Sequence, residues 1–159
     1  MRKILGLAVA LLVAASPFVA HAANLLTLPI TSAISTATTP PFKLNASPLH
    51  LTVQANFIYG SGGTTVDAYV QTSLDSGATW VDIAQFHFTT SSLRAVYNLN
   101  AQTAVTTEYT ATDGSLSANT SKDGILGAQF RIKYASTGTY GGSTQLSIDV
   151  QSDLTPAFP

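Results

Sequence analysis

From Leu49 onward, apolar and polar residues alternate along the chain with a period of two. In the clearest run Leu49, Leu51, Val53, Ala55, Phe57 and Tyr59 fall on one side, and His50, Thr52, Gln54 and Asn56 on the other. That alternation predicts a half-buried β-strand. Val66, Ala68 and Val70 predict a second inward face, with Asp67, Tyr69 and Gln71 turned out. A return strand runs from Trp80 to Phe88, and its alternation slips midway, which predicts a bulge. Leu93, Ala95 and Tyr97 mark another strand, with Arg94 and Val96 on its opposite face. Late in the chain Phe130, Ile132 and Tyr134 alternate with Arg131 and Lys133, and Leu146, Ile148 and Val150 alternate with Ser147 and Asp149. Residues 138–142, rich in Gly, are expected to join those two runs as the turn of a hairpin. A Thr-rich strand is expected over 104–111, followed by an aperiodic stretch, 112–127, of a length that tends to be functional or mobile in a small domain. Seven to nine short strands at this spacing predict an all-β fold: an antiparallel β-sandwich of jelly-roll or immunoglobulin-like type.

The N-terminus breaks the pattern. Arg2 and Lys3 precede an apolar run from Ile4 to Ala15, Ser16-Pro17 interrupts it, and Ala20-His21-Ala22 has the small-x-small form of a cleavage site. The order predicts a signal peptide over 1–22, because about twelve apolar residues fall short of the roughly twenty that span a bilayer. The protein is therefore expected to be exported, to the periplasm, the extracellular space or a cell or particle surface, without a permanent membrane span. Residues 23–47 read as an extended Thr/Ser/Pro-rich arm or linker. Its apolar beginning, Leu25 to Ile30, could lie as a first edge strand or add a strand to a neighbouring subunit. The sandwich itself is expected over 48–152, and 153–159 as a C-terminal tail.

Composition narrows the function. Charged residues make up 9% of the chain, against roughly 25% in ordinary soluble proteins. Ser, Thr, Ala, Gly and Gln take their places. Such a neutral surface argues against nucleic-acid binding, which needs clustered Lys and Arg to neutralise phosphates. Loss of Arg2 and Lys3 with the leader would leave five basic residues against eight acidic ones. The chain has no cysteine, so it carries no disulfide framework and an exported domain must rest on its core.

After the leader the only arginines are Arg94 and Arg131, too few for the arginine cluster that grips a sugar carboxylate. Glycoside hydrolysis needs two carboxyl groups across a cleft; Glu108 is the single Glu, and the aspartates are spread over turns and outer faces. His50 and His87 stand at strand positions away from any nucleophile elbow, and two histidines do not make a zinc site. No enzyme activity is expected. Calcium is left open in the loop that holds Asp113 and Asp123, without the spacing of an EF-hand. Tyr69, Tyr109 and Tyr140 are the candidate ligand contacts, aromatic rings on or near loops that could stack on a sugar or pack against a protein.

The stretch Ser73-Leu74-Asp75-Ser76-Gly77-Ala78-Thr79-Trp80 reads as a hairpin tip. Asp75 can accept from backbone N–H groups just after it, Gly77 supplies a positive φ, Thr79 restarts the strand, and Trp80 lays a ring over the base. The spacing S-x-D-x-G-x-T-W resembles the Asp-box hairpin of sialidases and other secreted β-proteins. What the resemblance implies for Ser73, Asp75, Gly77, Thr79 and Trp80 is a folding element rather than an active site. The longer string from Asp67 to Phe88, with the late run Phe130 to Tyr140, resembles small β-sandwich structural proteins of tailed-phage particles. It implies a non-enzymatic role on a particle surface, by self-assembly or contact with a protein partner or a host glycan. The expected function is an exported structural or adhesive β-sandwich, with a carbohydrate-binding module, calcium-assisted or not, as the alternative.

Overall fold

The computed structural model describes residues 21–154, which form eleven strands: β1 (His21–Pro29), β2 (Ile34–Thr38), β3 (Phe42–Lys43), β4 (His50–Ile58), β5 (Ser61–Gly62), β6 (Thr65–Ser73), β7 (Val81–Phe88), β8 (Leu93–Asn100), β9 (Gln129–Thr137), β10 (Tyr140–Gly141) and β11 (Gln145–Ser152). The expected leader over 1–22 lies outside the described residues except for His21 and Ala22, which open β1. Among the described residues no helix is long and apolar enough to cross a membrane.

The strands form two main sheets, ordered β1-β11-β4-β8 and β2-β9-β6-β7, with β3 also on β9 and every pairing antiparallel. Leaving aside the two-residue strands, the pairs are nested. β1 meets β11, β2 meets β9, β4 meets β8, and β6 meets β7. A single long hairpin, folded over itself with the Ser73–Trp80 turn at its tip, has this connectivity, which is that of a jelly roll.

Period-two alternation puts the apolar side of each strand into the space between the sheets. Leu51, Val53, Ala55 and Phe57 of β4 and Leu146, Ile148 and Val150 of β11 bury there against Val66, Ala68 and Val70 of β6 and Phe130 and Ile132 of β9. Phe57 stacks on Phe88 of the opposite sheet with ring centroids 5.1 Å apart. The slip expected in β7 falls at Ile83: Val70 pairs with Ala84 but Gln71 with Asp82. One extra residue reverses the faces beyond it. Asp82 therefore joins Gln85 and His87 on the outer side.

Three expectations are corrected. The arm or linker reading of 23–47 gives way to its edge-strand alternative: β1 pairs with β11 along its length, β2 and β3 pair with β9, and Leu26, Ile30 and Leu44 are buried. The segment looked like a linker because short edge strands rich in Thr, Ser and Pro bury few side chains. Residues 104–111 form no strand: a Thr-rich run has β propensity, but propensity alone makes no ladder. The 138–142 stretch is not a hairpin turn either. β9 and β11 belong to different sheets, and between them β10 pairs with β5 as the chain crosses over.

Candidate functional site

The turn after β6 is held by its own side chains. Ser73 Oγ donates to Asp75 Oδ1 at 2.8 Å and accepts from Gly77 N at 2.7 Å. Asp75 accepts from Thr79 N at 2.8 Å and Thr79 Oγ1 at 2.6 Å. These donors, the Thr79 hydroxyl foremost, hold the Asp75 carboxyl down at about 2. Gly77 has a φ of 96°, where an L side chain is strained. The Trp80 ring lies under the guanidinium of Arg131, 4.4 Å from its centroid, a cation–π contact. The Ser73, Asp75, Gly77, Thr79 and Trp80 set thus builds a rigid tip, with every polar atom of Asp75 turned inward on the turn.

Arg131 leads from the tip to a polar cluster on the outer face of the β2-β9-β6-β7 sheet. Its Nε donates to Gln71 Oε1 at 2.7 Å, and Gln71 Nε2 donates to both Asp82 Oδ1 and Asp113 Oδ1, each at 2.7 Å. Gln71 and Asp82 are fully buried. Asp82 also accepts from the backbone N–H groups of Gly114 (2.7 Å), Ser115 (3.1 Å) and Leu116 (3.2 Å). Three successive amides closing on one carboxyl group make a side chain the anchor of a loop. Farther along, Gln85 Nε2 donates to Asp67 Oδ1 (2.8 Å), His87 Nδ1 lies 2.7 Å from the same oxygen, and Asn119 N donates to Gln85 Oε1 (2.6 Å). The long connection from Ala101 to Ala128 is therefore tied to the sheet through buried polar groups at several points. It also covers the edge of β7: Asp82 N donates to Thr112 O, Gln85 N to Thr120 O and Lys122 N to Ile83 O.

The same connection folds a pocket of about 250 Å³, lined by Val105, Thr107, Glu108, Tyr109, Lys122, Asp123 and Ile125. Lys122 Nζ sits 4.9 Å above the Tyr109 ring, and Tyr109 OH donates to Asp82 O at 2.9 Å. Asp123 Oδ1 accepts from Asn100 N at 2.9 Å. Glu108, the single Glu, thus shares a pocket with one aspartate and one tyrosine.

The other sequence candidates separate. Tyr69 is half-buried on the polar face, its phenol pushed up by burial and by the charges of Asp67 and Asp82. Tyr140 is corrected: it is 5% exposed, its OH donates to Thr65 O at 2.7 Å, and burial pushes its phenol up. It is a structural pin at the crossover, with no ring face free for a ligand. Asp113 binds Lys133 Nζ at 2.9 Å and shares Gln71 with Asp82, and these hydrogen bonds, Gln71 first, hold its carboxyl below the usual range. Two cations beside it, Arg131 and Lys133, oppose a calcium ion there. Among the described residues no three His, Cys, Asp or Glu side chains gather as a metal site would require.

Sequence reasoning missed Gln71, Asp82, Gln85 and Asn119. A signal existed in part, since Asp67, Gln71, Gln85 and His87 all fall on the outward side of paired strands opposite an aperiodic loop. Asp82 could not join them until the bulge was placed. No family model matches the chain, and no curated protein matches it.

Proposed function

We propose that this protein is an exported, non-catalytic jelly roll that works by assembly on a particle or cell surface. The observation that carries the reading is the use made of the carboxyl pair in the polar cluster. Asp82 and Asp113 stand close enough to share one donor, yet Asp82 is saturated by Gln71 and three loop amides, and Asp113 Oδ1 is held by Gln71 and Lys133. A general acid or base must be free to take or give a proton to a substrate. Asp82 is spent on architecture, and Asp113 is held beside two cations. The neutral, hydroxyl-rich composition and the exposed Leu49, Ile58, Leu74, Leu93 and Val96 supply surface for protein contact. Sedimentation velocity over a concentration series tests the reading: species heavier than one chain are expected, and a single-chain mass throughout overturns it.

The loop pocket favours a second reading, a carbohydrate-binding module. Tyr109, Glu108, Lys122 and Asp123 combine an aromatic ring with charged hydrogen-bonding groups in a space of about 250 Å³, and such pockets suit sugar hydroxyls. A glycan array run with and without chelator tests it, with Glu108→Gln as the pocket variant. Binding that the variant abolishes supports the module, and no binding under either condition removes it.

A further inference from the structure

We infer that the free edge of β8 pairs with β8 of a second copy, antiparallel about a two-fold axis, so that the β1-β11-β4-β8 sheets of two chains become one continuous sheet. The inference rests on the assembly reading above and names its surface.

The four outer edges of the sandwich are not equivalent. The edge of β7 is covered by the long connection, through the Thr112, Thr120 and Lys122 backbone bonds and the Ala84–Ser121 bridge. β1 carries a register shift between Asn24 and Leu26, where the Asn24 side chain turns back to Leu26 O and Asp149. β2 is five residues long and also shifts register. Short strands and bulges are the usual defences of an edge against strand addition. β8 has neither. It pairs with β4 in eight uninterrupted steps from Leu93 to Asn100.

The direction of its backbone groups follows from its last residue. Asn100 donates its N–H to Asp123 Oδ1 and accepts from Gly124 N at its carbonyl, so both groups point away from β4. Backbone direction alternates along an antiparallel strand. The N–H and C=O groups of Asn98, Val96 and Arg94 therefore also point away from β4, and none has a partner among the described residues. They form a short open ladder, closed at one end by the Asp123–Gly124 cap.

That cap selects the register. Pairing cannot run past Asn98, so the open stretch from Arg94 to Asn98 has its midpoint at Val96. An antiparallel copy centred there sets Val96 against its own counterpart and each Arg94 against Asn98. No like charges oppose one another. A register centred on Arg94 would set the two guanidinium groups face to face, which is destabilising. The chosen register also covers the apolar side chain at its centre: Val96 is 55% exposed. Behind the strand, Tyr97 packs on Phe86 of the other sheet at 4.9 Å between ring centroids, so the edge is presented on a rigid support. Because the contact is isologous, it closes at two chains.

Sedimentation velocity of the full chain carrying Val96→Lys or Val96→Glu tests the inference. The wild type is expected at twice the single-chain mass, each variant at the single-chain mass, and an equimolar mixture of the two variants back at twice, since Lys then meets Glu across the axis. Wild-type dimers that both substitutions leave intact would overturn the β8 pairing while sparing assembly through another surface. A wild type that never exceeds one chain would overturn both. Hydrogen exchange on the unmodified chain needs no variant: the Arg94, Val96 and Asn98 amides should slow as concentration rises. Exchange rates independent of concentration would count against the pairing.

Discussion

At the scale of single residues, two aspartates do most to hold local structure, and they differ in burial. Asp82 is fully buried and closes on Gln71 and the amides of Gly114, Ser115 and Leu116. Asp82→Ala leaves these donors unpaired, and with each such orphan costing about 1–3 kcal/mol, a loss of at least about 3 kcal/mol is expected from denaturant unfolding. Asp82→Asn keeps one acceptor oxygen and should lose less. Asp75 sits exposed at the tip, with its carboxyl held at about 2 against an ordinary value of 3.8. Its folded value is the lower one, so its contribution to stability is present above pH 3.8 and is lost as pH falls through about 2. Thermal unfolding followed from pH 5 to about pH 2 should show a falling midpoint, less steep in Asp75→Asn. A slope unchanged by that substitution would mean that the acid limb belongs to other groups. Asp113, lowered by Gln71 and Lys133, acts in the same direction.

At the scale of elements, the two irregular connections are tied down in different ways. The crossover between β9 and β11 is pinned by Tyr140, whose OH donates to Thr65 O and accepts from Thr64 N at 3.3 Å. Tyr140→Phe keeps the ring and removes the hydroxyl, and a loss of about 1–2 kcal/mol by chemical denaturation is expected. The long connection has little apolar anchoring beyond Leu116 and Leu126, so its order depends on the polar cluster. In Asp82→Ala the amides of Gly114, Ser115 and Leu116 should exchange faster while those of β4 and β11 stay protected. Uniform loss of protection would mean that the loop and sheets unfold together. This dependence explains why the connection had no signature in the sequence. Loops held by Gln and Asp side chains from another element carry no periodicity of their own, and neither Gly114 nor Ser115 reveals that its N–H points at Asp82.

At the scale of the molecule, nested pairing makes the first strand meet the last, with His21 opposite Ser152. Such long closures are slow to form, and refolding in the range of about milliseconds to seconds is expected by stopped-flow fluorescence of Trp80. The core has one layer, and the fully buried Phe57 packs there against Phe88 and Tyr59. Phe57→Ala should cost about 3–5 kcal/mol. With no disulfide in the chain, a reducing agent should not alter the unfolding midpoint of the wild type. Each half of the sandwich contributes one face to that core, so truncation within either half should abolish cooperative unfolding.

Alternation alone determined that this is an all-β protein, where β4, β6, β8, β9 and β11 run, and which of their side chains face the interior. A strand with one buried face must write that face into every second residue, so Val53 and Ile148 are legible without a neighbour. Pairing was decided only by the tertiary structure. Nothing local distinguishes a β9 that turns into β11 from one that leaves for the other sheet, because hydrogen bonds between strands are made by backbone atoms common to all residues. For the same reason the sequence left β1 open between an edge strand and an arm, and β2 and β3 passed for a linker. The polar cluster belonged to that second class as well: Asp82 reaches Gln71 only through one extra residue at Ile83, and a bulge is fixed by the partner strand.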